Sequence, residues 1–87
     1  MDDHAILTMD GFDSAIVGIV ERHGMEPVVL YDEEKVVRTL MRQGLSREDA
    51  QEYMDFNQKG AWVGSGTPAF LRRMTAAEVR EFAEQYS

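Results

Sequence analysis

The chain contains no cysteine, which excludes disulfide bonds, a thiolate nucleophile and a thiolate metal site. Its apolar runs are also short. The longest, counting Gly18, is AIVGIV at residues 15–20, whereas a membrane-spanning helix needs about 20 apolar residues. The opening MDDH lacks the basic start of a signal peptide. From these absences we expect a cytoplasmic protein that does not contact the membrane.

Basic residues are scarce in the first part of the chain. Residues 1–34 hold nine acids and one base, Arg22, for a charge of −8, whereas residues 35–87 hold seven acids and eight bases, for +1. Phosphate backbones attract cations, so we expect no direct nucleic-acid binding. A protein partner with a basic surface is the natural complement of this charge, although acids also keep a small protein soluble without any binding role.

Five of these acids, with the single tryptophan, are the candidate partner-binding residues. They are Asp10, Asp13, Asp32, Glu33, Glu34 and Trp62. Tryptophan is enriched at interface hot spots, although in so small a domain its more common role is to pack in the core. The sequence alone leaves both roles open for Trp62.

Capping signals predict a helical hairpin in the middle of the chain. Asp32 is a candidate N-cap for a helix over residues 33–43. Ser46 begins a second helix that we expect to end at Gly60. About three residues join the two helices, which therefore form an αα-hairpin. Four residues of the second helix share its predicted inner face: Ala50, Tyr53, Met54 and Asn57.

A third helix is predicted near the end of the chain. Thr75 and Glu78 have the spacing of a capping box, in which each side chain bonds to the other's backbone amide. The apolar residues that follow recur at helical spacing and predict a buried stripe. These residues are Val79, Phe82, Ala83 and Tyr86.

Strands are predicted in the remaining apolar segments. VVLY at residues 28–31 is a strand ending at the Asp32 cap. Residues 14–22 fit either a strand or a helix; we take them as a strand, in which Gly18 marks a bulge or a close backbone approach. AILTM at residues 5–9 is a further candidate. The expected fold is α+β: one domain, residues 1–87, with a small antiparallel sheet of about three strands packed against the αα-hairpin and a C-terminal helix.

The segment KGAWVGSGTPAF at residues 59–70 holds three of the seven glycines. A phosphate-binding P-loop requires lysine after its last glycine, but Thr67 and Pro68 follow Gly66 here. We therefore expect strand AWV, a surface turn over residues 64–68 and strand AFL, with no nucleotide bound. At least one glycine of this turn should have positive φ.

No catalytic or metal-binding motif is recognisable in the sequence. His4 and His23 lack the spacing of a zinc pair, and no serine lies in a nucleophile-elbow motif. DGFD at residues 10–13 is shorter than an EF-hand loop, and Asp10 and Gly11 are expected to form a turn. We expect no enzymatic activity, no cofactor and no bound metal. One alternative is a metal-assisted enzyme that uses four carboxylates: Asp10, Asp13, Asp32 and Glu33.

Four segments together resemble a group of small proteins from bacteriophage genomes and prophages, a group without an established activity. They are DGFDSAIVGIVERHG, VVLYDEEKVVRTLM, GLSREDAQEYMDFNQKGAWVG and GTPAF. The resemblance covers roughly residues 10–71, and EDAQEYMDFN leading into GAWVGSGTP is its most specific part. It implies a phage-borne protein that acts in the bacterial cytoplasm.

The resemblance and the charge together suggest a function. Small acidic phage proteins often inhibit host machinery, and some mimic DNA to block restriction or CRISPR complexes, so the resemblance implies an anti-defence role by analogy. We expect a non-enzymatic interaction protein that binds through its acidic first part. A second alternative, beside the metal-assisted enzyme, is a structural or oligomerising phage protein that forms a homodimer with Trp62 at its interface.

Overall fold

The computed structural model describes residues 6–59 and 64–86. The strands of this part are β1 (Ile16–Val20), β2 (Val28–Asp32) and β3 (Ala69–Leu71). Its α-helices are α1 (Glu33–Arg42), α2 (Arg47–Tyr53) and α3 (Ala76–Tyr86). A 3-10 turn at Asp13–Ala15 precedes β1, and a π-helical turn at Met54–Gln58 continues α2. The predicted α+β class, with its helical hairpin and C-terminal helix, is confirmed.

The three strands form one mixed sheet in the order β1-β2-β3. β1 and β2 pair antiparallel, and a bulge between Ile16 and Gly18 confirms the predicted role of that glycine. β3 pairs with β2 in parallel, which differs from the expected antiparallel arrangement. The reason is the connection between them: the chain passes through α1 and α2 before it returns, and parallel neighbours require such a crossover.

Local capping determines where α1 and α2 begin. The Oδ1 atom of Asp32 accepts hydrogen bonds from the amides of Glu34 at 2.9 Å and Lys35 at 3.3 Å. The hydroxyl of Ser46 accepts one from the amide of Asp49 at 3.1 Å. Gly44, with φ of +110°, lies just beyond α1 and turns the chain toward α2. Both predicted caps are therefore confirmed.

The core lies between the sheet and the helical hairpin. Tyr31, Val36, Val37 and Met54 are its largest fully buried side chains. The hydroxyl of Tyr31 accepts a hydrogen bond of 2.7 Å from the amide of Met9, which ties the segment before β1 to the central strand. Met9 packs against this core, but residues 6–9 form no regular strand.

α3 forms as predicted but is not buried. Thr75 and Glu78 make the reciprocal capping box, at 2.8 and 3.1 Å. No residue of α3 is buried, however: Val79 is 51% exposed, Phe82 43% and Tyr86 82%. The predicted burial of this stripe is wrong, because amphipathic spacing determines which residues share a face but not whether anything covers that face.

The inner face of the second helix was predicted only in part. Ala50 and Met54 are buried, but Tyr53 is 42% exposed and Asn57 is also exposed. The helix widens near its end, where the amide of Lys59 donates to the carbonyl of Met54, five residues earlier. Asn57 lies within this π-helical turn, where the spacing of an α-helix no longer holds, whereas Tyr53 lies before it.

None of the helices in the described part of the chain is both long and apolar enough to cross a bilayer.

Candidate functional site

Three of the candidate acids lie side by side where β2 passes into α1, and each is paired with a base. Asp32 accepts a hydrogen bond of 3.0 Å from Nε of Arg73, and its side chain is only 6% exposed. Burial acts to raise the pKa of Asp32. The hydrogen bond from Arg73 and those from the amides of Lys35 and Glu34 outweigh it, so the pKa is lowered.

Glu33, the second of these acids, is buried at 10% side-chain exposure and pairs with Lys59 at 2.8 Å. The same ammonium contacts Asp55 at 3.3 Å. Burial acts to lower the pKa of Lys59, but its hydrogen bonds with Glu33 and Asp55 outweigh burial, so the pKa is raised. This three-residue ion pair joins the start of α1 to the end of the π-helical turn.

Glu34, the third acid, is half-exposed and binds two arginines. Both guanidinium NH2 groups of Arg47 donate to its two carboxylate oxygens, and Nε of Arg38 donates at 3.2 Å. The hydrogen bond from Arg47 is the main cause of the lowered pKa of Glu34. Since this pKa and that of Asp32 are lowered, neither carboxylate has the near-neutral pKa that suits a general acid or base.

The other candidate acids lie elsewhere. Asp10 and Asp13 are exposed before β1, and Glu21 is exposed after it. A strand of five residues separates these positions by about 16 Å. Asp32, Glu33 and Glu34 are neutralised internally, so the described acids of residues 1–34 do not form one continuous acidic face. Trp62 lies outside the described residues.

The carboxylates proposed for a metal site do not come together. Within residues 6–59 and 64–86, no group of three or more His, Cys, Asp or Glu side chains could hold a metal ion. Asp32 and Glu33 are held by Arg73 and Lys59. Asp10 lies in the predicted turn, where Gly11 has φ of +87°. The structure therefore gives the metal-assisted alternative no support. His23 is exposed, and His4 lies outside the described residues.

The glycine-rich segment forms the predicted turn. Gly64 has φ of +110°, and its carbonyl accepts hydrogen bonds from the amide of Thr67 at 3.1 Å and its hydroxyl at 2.6 Å. The chain then enters β3, which confirms the predicted strand AFL. Strand AWV, at residues 61–63, falls outside the described residues.

A charged cleft of about 460 Å³ opens where the parallel strands β2 and β3 end. Asp32 and Glu34 line it from one side, and Arg72 and Arg73 from the other. In sheets with parallel strands, ligands favour this edge. Four bases and three acids line the cleft, and all three acids are in ion pairs within the chain, so the cleft presents no excess of negative charge.

The outer face of α2, continued into the π-helical turn, carries acids without this internal pairing. Its members are spaced three and four residues apart, opposite buried Ala50 and Met54. We name this surface the α2 patch; it consists of Glu48, Asp49, Glu52, Tyr53 and Phe56. All five are exposed, Phe56 at 77%. Its three carboxylates make no salt bridge within the described part of the chain.

Sequence reasoning missed this patch, although the signal was present. The sequence predicts the binding acids within residues 1–34 and predicts Tyr53 on the inner face of the second helix. It therefore predicts no binding role for residues 48–56. The spacing of Glu48, Glu52 and Phe56, each four residues from the next, already places two acids and an aromatic ring on one side of a helix.

Comparisons with models of protein families, with curated proteins and with solved structures find no match to this chain.

Proposed function

We propose that the protein is a non-enzymatic interaction protein that binds a basic surface of a protein partner through the α2 patch. The observation that carries the proposal is the exposed ring of Phe56 on a helix face whose three carboxylates make no salt bridge with residues 6–59 or 64–86. Exposed aromatic residues are typical interface anchors, and unpaired carboxylates attract a basic surface over long range. Neither feature is needed for the fold, because the buried side of α2 is the opposite one.

The charge pattern supports the choice of the α2 patch over the acids at the start of α1. Asp32, Glu33 and Glu34 already pair with four bases: Arg73, Lys59, Arg38 and Arg47. A partner that competed for these acids would have to break internal ion pairs. The acids of the α2 patch are available without that cost.

The resemblance to small phage proteins extends the proposal to a class of partner. Its most specific segment, EDAQEYMDFN at residues 48–57, contains all five residues of the α2 patch. We propose that the partner is a nucleic-acid-binding or defence complex in the cytoplasm of a bacterial host, recognised through the basic groove that normally holds nucleic acid. The protein would then act as an inhibitor by occupying that groove.

The test is affinity capture from bacterial lysate, followed by binding measurements on the purified partner. One variant carries Glu48→Lys, Asp49→Lys and Glu52→Lys. The control carries Asp10→Lys, Asp13→Lys and Glu21→Lys, which changes the total charge equally at another place. A third variant, Phe56→Ala, removes the ring without changing charge. Circular dichroism verifies that each variant folds.

We expect the α2 triple variant and Phe56→Ala to lose the partner and the control triple variant to retain it. Binding should weaken with salt, because attraction between charged surfaces is screened over about 8 Å at physiological ionic strength. Duplex DNA should compete for the partner if its groove is the binding site. Equal retention of all three variants would refute binding through the α2 patch. Loss of partner binding in the control triple variant alone would instead place the binding site at Asp10 and Asp13.

A further inference from the structure

The apolar face of α3 is largely exposed in the described part of the chain. Phe82 and Tyr86 stack on each other with ring centroids 5.7 Å apart. Val79 lies on the same face, one turn before Phe82. All three are exposed. The guanidinium of Arg72 lies 5.2 Å from the centre of the Phe82 ring and holds one side of the helix toward β3.

An acidic groove runs beside this aromatic face. It encloses about 340 Å³ and is lined by Met74, Glu78, Glu81, Phe82 and Gln85. Met74 and Phe82 provide apolar walls, and Glu81 makes no salt bridge among the described residues. A lysine or arginine matches such a groove, since its aliphatic stem packs on apolar atoms and its charged end reaches a carboxylate.

A second copy of the chain is a poor occupant of this face. Each copy carries a net charge of −7, so two copies repel. Symmetric pairing through α3 would place these like charges together, whereas a basic partner would be attracted.

We propose that α3 is a second docking surface, and that its occupant is an amphipathic helix of a partner protein with basic residues beside its apolar stripe. The apolar stripe of that helix would pack on Val79, Phe82 and Tyr86, and a basic side chain would enter the groove at Glu81. This mode of recognition lays a helix against an apolar helix face. It is separate from the α2 patch, so one chain would contact two surfaces of a partner or bridge two partners.

The experiment uses the full chain and a labelled peptide of about 18 residues, long enough to form a helix. The peptide has leucine at heptad positions and lysine on both flanks, and its twin has glutamate on the flanks. Fluorescence anisotropy measures binding of each to the wild type, Phe82→Ala, Glu81→Lys and Glu84→Lys. Glu84→Lys makes the same charge change on α3 at a position that does not line the groove. Circular dichroism verifies the helix content of each variant.

We expect the lysine peptide to bind the wild type at least about tenfold more tightly than its twin. Phe82→Ala and Glu81→Lys should each weaken that binding about tenfold, whereas Glu84→Lys should leave it nearly unchanged. The proposal fails if both peptides bind alike or if Glu81→Lys and Glu84→Lys lose binding equally. It also fails if sedimentation shows that the wild type dimerises and Phe82→Ala does not, since the occupant is then a second copy.

Discussion

Arg73 and Asp32 are separated by 41 positions in the sequence and joined by a hydrogen bond of 3.0 Å. Asp32 uses its other oxygen to cap α1. One buried carboxylate thus ends β2, begins α1 and holds the chain where it leaves β3. We expect Asp32→Ala to destabilise the fold by about 1–3 kcal/mol, because it removes a cap and a hydrogen bond to a charged group.

Urea denaturation followed by circular dichroism measures this effect, with Arg73→Ala as the matched control. Arg73 is largely exposed, so its removal should cost about 1 kcal/mol or less. Asp32→Asn keeps an oxygen that can cap α1, so its destabilisation should lie between those of Arg73→Ala and Asp32→Ala. Equal effects of Asp32→Ala and Arg73→Ala would mean that the cap contributes little.

Acid should destabilise the protein through Asp32 and Glu34. Both pKa values are lower in the folded chain than their ordinary values of 3.8 and 4.5. The unfolded chain therefore takes up protons first as pH falls. The stabilisation is fully present above about pH 4.5 and is lost as pH falls through the folded values. Urea midpoints measured between pH 6 and the acid limit should fall less steeply in Asp32→Asn/Glu34→Gln than in the wild type.

The Glu33–Lys59 pair should be strongly coupled, because Glu33 is buried. Lys59→Met leaves that carboxylate without its ammonium and should cost about 1–3 kcal/mol. Glu33→Gln combined with Lys59→Met should recover part of the loss, since no charge then remains buried. A double-mutant cycle of urea midpoints measures the coupling, and simple additivity of the two single changes would show that the pair is not coupled.

Two glycines two positions apart should respond differently to alanine. Gly64 has φ of +110°, whereas Gly66 is not among the glycines with positive φ. Among the described residues, apart from its chain neighbours, no atom lies within 4 Å of the place that an alanine β-carbon would take at Gly64. The expected cost of Gly64→Ala is therefore backbone strain, about 1 kcal/mol. Gly66→Ala should avoid that penalty, and thermal melts of the two variants compare them directly.

Removal of the α3 cap should have a local effect. Thr75→Ala breaks the capping box, which is worth about 1 kcal/mol, but α3 contains no buried residue. Amide hydrogen exchange in α3 should therefore accelerate while the urea midpoint of the whole domain barely changes. Ser46→Ala, at the start of the hairpin that carries the core, should lower the midpoint instead. If Thr75→Ala lowered the urea midpoint as much as Ser46→Ala does, α3 would contribute to the stability of the core.

The candidate site was only partly predictable. The acids at the start of α1 were correctly located, but their role as free charges could not be judged from composition. Their bases lie 13 positions away for Glu34–Arg47 and 41 for Asp32–Arg73, and only the folded chain brings such residues together. A total charge for a segment is the same whether its acids face solvent or each other.

The sequence by itself determined the features that depend on neighbours within one turn. Ser46 bonds three residues ahead, Thr75 and Glu78 bond each other, and a glycine turn leads into β3. Such contacts require only local backbone geometry. The tertiary structure alone decided the parallel pairing of β3, the internal neutralisation at the start of α1 and the exposure of α3. Each of these depends on which distant surface the chain meets, and periodicity along one element carries no information about that surface.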